Sequence, residues 1–241
     1  MEALTSGAVW GALGAIIIAN ILLSGDNAVV IAMAARSLQP RQQKKAIVYG
    51  SAAAIVMRIV LTIVAVQILQ VPYLKILGGL ALLWIGTQLM LDSEEEGKVK
   101  ETGTLGAAIR TILIADLVMS IDNVIAVAAA ASRAPETYRL VLLVIGLATS
   151  IPLIIIGSTL LMKIMERFPI IILLGAALLG WLAGEMFVTD PALADWFKAN
   201  FEHPHLIFGI GGAVLVVLVG KWLHHRAGRA ETRAPMHNSS R

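Results

Sequence analysis

Two short stretches carry residues able to do chemistry inside otherwise apolar sequence. The first holds Asn20, Ser24, Asp26 and Asn27; the second holds Asp116, Ser120, Asp122 and Asn123. Position by position, the two sets are separated by a constant 96 residues. Helical positions i, i+4 and i+7 share a face. Asn20, Ser24 and Asn27 therefore form one polar stripe, and Asp116, Ser120 and Asn123 form another. A carboxylate at mid-membrane costs about 2.5–3.5 kcal/mol on insertion scales. Asp26, Asp116 and Asp122 left unpaired would together cost about 10 kcal/mol, comparable to a typical protein's whole net stability. They must be protonated, paired with a cation or in contact with water. Carboxylates, amide carbonyls and hydroxyls are hard oxygen donors. Without His or Cys they suit Mn²⁺, Mg²⁺ or Ca²⁺ better than Zn²⁺ or Cu⁺. Hydrogen bonding between membrane helices is enough to explain the Ser and Asn residues, but not three carboxylates.

Other polar residues bear on the same site. Arg58 falls near the middle of the second apolar segment. It reads either as a counter-ion holding an empty Asp site until a metal displaces it, or as a structural or snorkelling cation. Glu185 falls towards the outer end of the sixth segment and is a candidate fourth carboxylate in an external pathway. Met119 adjoins the second stretch; a thioether ligand would favour a softer metal, whereas packing is the ordinary role of such a Met. Gly25 is expected to let the first helix unwind beside Asp26, a freedom that Ile121 at the matching position lacks. Regular helices would place Asp26 and Asp116 at one depth on the inner side, with Asp122 beside Asn20 further out. The tighter metal site is then expected to face the cytoplasm.

The elements that position these residues follow from composition. Of 241 residues, 58% are hydrophobic and 15% charged, against roughly 45–50% and 25% in soluble domains. The mean hydropathy is +0.81. Charges avoid long apolar blocks, and those blocks lack the alternation of a membrane barrel. The fold class is all-α, a polytopic membrane protein of about seven transmembrane helices. The expected spans are 8–35, 46–69, 73–91, 105–131, 140–161, 168–187 and 206–223. Residues 1–91 are read as a first three-helix repeat and 105–187 as a second, inverted one. An acidic cytoplasmic linker at 92–104 (Asp92, Glu94, Glu95, Glu96, Glu101) joins them. An external loop at 188–205 with a short helix, a seventh helix at 206–226 and a disordered basic tail at 227–241 complete the chain. No signal peptide is apparent, so the first helix is expected to be retained.

Lys and Arg set the orientation. Arg36, Arg41, Lys44 and Lys45, then Lys98, Lys100 and Arg110, then Lys163 and Arg167, then Lys221, Arg226, Arg229, Arg233 and Arg241 mark the cytoplasmic side. The alternate loops hold only Lys75, then Arg133 and Arg139, then Lys198. The N-terminus is expected outside and the C-terminus in the cytoplasm of a cell-membrane protein. Oppositely oriented copies of one polar helix are the signature of an inverted-topology repeat. There is no cysteine, hence no disulfide framework or thiolate metal site. No nucleotide-binding motif such as a P-loop is present, and nothing points to nucleic acid. An intramembrane aspartyl protease would need a Tyr before one Asp, which neither Asp116 nor Asp122 has. The chain therefore reads as a non-enzyme. Gly7-x-x-x-Gly11 and the Gly209–Gly212 stretch allow close helix packing, within the chain or in a homo-oligomer.

Ser24-Gly25-Asp26-Asn27 and Met119-Ser120-Ile121-Asp122-Asn123, at this spacing, carry a resemblance. The sequence resembles the TerC family of bacterial integral membrane proteins over about residues 8–223. The resemblance implies metal-ion transport, with manganese efflux its leading role, and a metal site formed by Asp26, Asp116 and Asp122. Together these readings give a divalent-cation exporter, Mn²⁺ its substrate, working by alternating access in the lipid bilayer and coupled to protons. The alternatives are metal supply to secreted enzymes through contact with the secretion machinery, or export of another cation or small solute.

Overall fold

The computed structural model describes residues 7–68, 71–94, 103–132 and 134–233. Glu95, Glu96, Lys98, Lys100, Glu101, Arg133 and Arg241 lie outside these, as do the side chains of Asp92, Glu94, Asp122, Arg229 and Arg233. The described residues form ten helices and no strand. They are α1 (Gly7–Leu22), α2 (Gly25–Arg36), α3 (Pro40–Ile68), α4 (Leu74–Glu94), α5 (Leu105–Ala131), α6 (Glu136–Ala148), α7 (Ser150–Arg167), α8 (Ile170–Thr189), α9 (Ala194–Asn200) and α10 (Pro204–Arg233).

Among the described residues, five helical stretches are long and apolar enough to cross a bilayer, up to seven if each bent pair is one span. One of the five joins α6 and α7 as Glu136–Arg167. Pro152 removes the N–H that would bond the Ala148 carbonyl, so the helical ladder slips where α6 gives way to α7. The two bent pairs hold the polar stretches. The α1–α2 pair turns by 47° at Leu23–Ser24. Helix α5 is helical throughout, yet its axis turns by 62° between Leu105–Ile121 and Asn123–Ala131. Neither Pro nor Gly lies within residues 118–127. Helix α10 runs on to Arg233, past the point where the sequence suggested a disordered tail.

The outer surface is apolar. Trp10, Ile18, Val56, Val60, Ile63, Leu80, Trp84, Ile156, Leu160, Leu174 and Leu218 are all exposed. Asn20, Ser24, Arg58, Asp116, Ser120 and Ser150 are buried. Apolar outside and polar inside is the arrangement for lipid as solvent.

Packing between the halves is reciprocal. A Cβ on Gly50 of α3 would lie 2.8 Å from Ile112 Cδ1 of α5. A Cβ on Gly146 of α6 would lie 2.5 Å from Ile16 Cγ2 of α1. Each glycine thus makes room for an isoleucine, and adding 96 turns the first pair of residues into the second with the halves exchanged. Backbone bonding repeats too: Thr62 Oγ1 donates to the Arg58 carbonyl at 2.7 Å, and Ser158 Oγ to the Ile154 carbonyl at 2.5 Å. The third helices, α4 and α8, pack on each other. They share Leu77/Leu174, Gly78/Gly175, Leu82/Leu179 and Trp84/Trp181 at an offset of 97.

Helix α10 stands outside this exchange. It packs on α8 through glycines, a Cβ on Gly180 falling 2.3 Å from the Gly212 carbonyl oxygen. A second clamp joins α8 to α4. Asp190 is fully buried, and its carboxylate accepts from the backbone N–H of Tyr73 (3.0 Å), Lys75 (3.1 Å), Ile76 (3.3 Å) and Ala192 (2.8 Å). It caps α4 and holds Tyr73 at a φ of 66°, a strained value for a non-glycine residue.

Candidate cation site

Breaking the first span divides its polar residues between two neighbouring points. Asn20 lies in the last turn of α1, Ser24 in the break, and Asp26 and Asn27 in the first turn of α2. On α5, Asp116 and Ser120 lie one turn apart before the bend and Asn123 just after it. Arg58 enters from α3 and fills the space between them.

Its guanidinium is used on three sides. Nη2 donates to the Asp116 carboxylate, an ion pair, and Nε donates to Ser120 Oγ at 3.0 Å. Nη1 faces the other half, donating to Asn20 Oδ1 at 3.0 Å and Ser24 Oγ at 3.4 Å. Ser120 Oγ donates to Asp116 Oδ2 at 3.2 Å, and Ser24 Oγ donates to the Asn20 backbone carbonyl. Asn20 Nδ2 donates in turn to Ser150 Oγ at the start of α7. Arg58 is 1% exposed and Asp116 5%, so water does not neutralise either. Arginine keeps its charge in proteins, and the pair is the neutral form of the site. Buried pairs add little net stability, but removing one partner strands a charge at a cost of about 3–5 kcal/mol.

A second, smaller cluster sits at the break. The Leu23 carbonyl ends α1 without a helical partner. It accepts from Asn27 Nδ2 and from Asn123 Nδ2, each at 3.2 Å. Asn27 Oδ1 is buried with no hydrogen-bond partner, a free acceptor oxygen of the kind a cation uses. Asp26 turns its carboxylate to its own helix, Oδ1 accepting from the Asn27 N–H at 2.8 Å, where the helix dipole favours an anion.

The structure therefore joins Asn20, Ser24, Asp116 and Ser120 in one network and brings Asn27 and Asn123 together on Leu23. Asp26 stands beside the second cluster; the Asp122 side chain lies outside the described residues. Glu185 lies on α8, half-buried and outside the Arg58 network. Met119 packs in the apolar core. Among the described residues, no three of His, Asp and Glu converge on one point; the oxygens around Arg58 come from one carboxylate, one amide and two hydroxyls.

Asn20 and Asp116 meet on one guanidinium; the expected pairing of Asn20 with Asp122 involves a side chain outside the described residues. The first span does break beside Asp26, with Gly25 the first residue of α2, but not through a left-handed backbone. No glycine has a positive φ among the described residues, and a Cβ on Gly25 would meet nothing within 4 Å. Ser150 escaped notice in the sequence; its signal was the Thr149-Ser150 pair beside Pro152 inside an apolar span.

A lipid-facing bundle around a buried ion pair, with two spans bent at their polar stretches, defines a multi-pass integral membrane protein with an intramembrane polar site. The chain belongs to the integral membrane protein TerC family, whose model matches residues 5–228. It is 45% identical over 175 residues to the uncharacterized membrane protein YjbE of Bacillus subtilis (strain 168), covering 73% of this chain and 78% of YjbE. It is 28% identical over 142 residues to the uncharacterized membrane protein YceF of the same organism, 55% of each chain. It is 30% identical over 141 residues to the UPF0053 inner membrane protein YgdQ of Escherichia coli (strain K12), 51% of this chain and 59% of YgdQ. No solved structure matches the chain.

Proposed function

We propose that the protein transports a divalent cation, with Mn²⁺ the leading substrate, by alternating access of two inverted halves around the α1/α5 polar site. One observation carries this reading: four oxygen-bearing side chains, matched in pairs by the 96-residue offset, surround one buried cationic group. A site built to hold positive charge within a membrane is a functional site by default. Its donors are hard oxygens, which suit Mn²⁺ over softer metals. The unpartnered Asn27 oxygen and the Asp26 carboxylate extend the donor set towards α2. The reciprocal Gly50–Ile112 and Gly146–Ile16 contacts support two halves that can exchange roles.

The test is Mn²⁺ efflux from cells or uptake by reconstituted vesicles. Wild type transports Mn²⁺, and Asp26→Asn, Asp116→Asn and Asp122→Asn each reduce the rate at least tenfold. Unchanged rates in all three would remove the site; a wild type that neither binds nor moves any divalent cation would remove the function.

A further inference from the structure

Arg58 has no counterpart in the other half. The matching position on α7 is Ile154, although the backbone around the two residues is bonded alike through Thr62 and Ser158. Arg58 nonetheless reaches both members of each matched pair, Asn20 with Asp116 and Ser24 with Ser120. One half thus contributes a tethered cation to the point that the two halves share. From this geometry we infer that Arg58 is a built-in substitute for the transported cation: it occupies the site when the metal has left and is displaced when the metal binds.

This rests on the transport reading above and makes Arg58 a positioning and specificity residue within it. A carrier that pumps in one direction must return without its metal. An empty site with Asp116 bare would leave a charge in the low-dielectric interior. Arg58 neutralises that charge, so the empty form can reorient. The guanidinium also competes with the incoming metal for the same oxygens. The apparent metal affinity is therefore reduced by the fraction of molecules in which Arg58 holds the site. Lysine cannot replace it fully, because an ammonium is a point charge without the planar fork that here spans four side chains.

The experiment uses the full chain, purified and reconstituted, with Mn²⁺ as the probe. Mn²⁺ binding is read by electron paramagnetic resonance. Net Mn²⁺ flux into empty vesicles is compared with exchange between Mn²⁺-loaded compartments. In Arg58→Gln, Mn²⁺ binds at least tenfold tighter than in wild type, and the ratio of net flux to exchange falls at least tenfold. Arg58→Lys lies between the two, binding about threefold tighter and keeping most of the net-to-exchange ratio. A merely structural arginine would lower binding, net flux and exchange together and leave their ratio alone. If Arg58→Gln does not fold, the affinity of Arg58→Lys decides. Wild-type Mn²⁺ binding with no gain in affinity in either variant overturns the inference while leaving the transport reading intact. A wild type that binds no Mn²⁺ overturns the transport reading itself.

Discussion

The two polar stretches are close in sequence and unlike in structure. Around Leu23–Ser24 the chain breaks into two helices at 47°; around Asp122 it bends by 62° without leaving the helical state. The first stretch gives Arg58 an amide and a hydroxyl, the second a carboxylate and a hydroxyl. Around Arg58 the two stretches supply matched oxygens, but only the second supplies a charge, and the ion pair ties α3 to α5.

Moving the charge tests this comparison most severely. Asp116→Asn strands Arg58 and is expected to lower stability by about 3–5 kcal/mol, read as thermal unfolding in detergent. Adding Asn20→Asp to Asp116→Asn places a carboxylate on the other arm of the same guanidinium. The double variant recovers at least half of the lost stability. No recovery would mean that the two positions are not equivalent around Arg58.

Next in size are the two glycine notches. Gly146→Ala and Gly50→Ala each overpack a helix contact, which costs about 1–3 kcal/mol. Gly146→Ala is the worse of the two. Its Cβ meets Ile16 at Cγ2 and, at 3.1 Å, at Cβ, atoms close to the backbone, whereas Gly50→Ala meets the swinging Cδ1 of Ile112 at 2.8 Å. Equal melting temperatures for the two would mean that the contacts relax alike.

The Asp190 clamp is smaller. Asp190→Ala leaves the first N–H groups of α4 uncapped and releases the strained Tyr73, costing about 1–2 kcal/mol. Faster hydrogen exchange at Lys75 and Ile76 is the readout. Smallest is Gly25→Ala, expected within about 0.5 kcal/mol, because the new methyl group has open space and an ordinary backbone.

The spans were legible because lipid imposes a length and a polarity that sequence displays directly. The apolar block at 8–35 corresponds to α1 and α2 together, Gly7 to Arg36, and the block at 168–187 to α8 within two residues at each end. The break was legible in part: Gly25 marked its place beside Asp26, although the backbone there does not use the left-handed region that glycine allows. Within the site, Asn20, Ser24, Asp116 and Ser120 were visible because polar residues are costly at that depth. Arg58 was legible as a counter-ion to the aspartates, one of two readings, but not as the hub of both stretches, since a hub is defined by partners 34 to 62 residues away. Ser150 was hidden because a serine in a membrane helix ordinarily satisfies itself on its own helix, as Ser158 does here.

The Leu23 carbonyl ties the break in the first span to α5. It is held from two sides, by Asn27 across the break and by Asn123 from α5. If α5 swings away, Leu23 gives up one amide and retains the other, so the oxygen is never bare in a medium with no water to cover it. Intramembrane hydrogen bonds are worth about 0.6–1.7 kcal/mol, so under the proposed alternating access the release of Asn123 from Leu23 is a small part of the cost of moving α5.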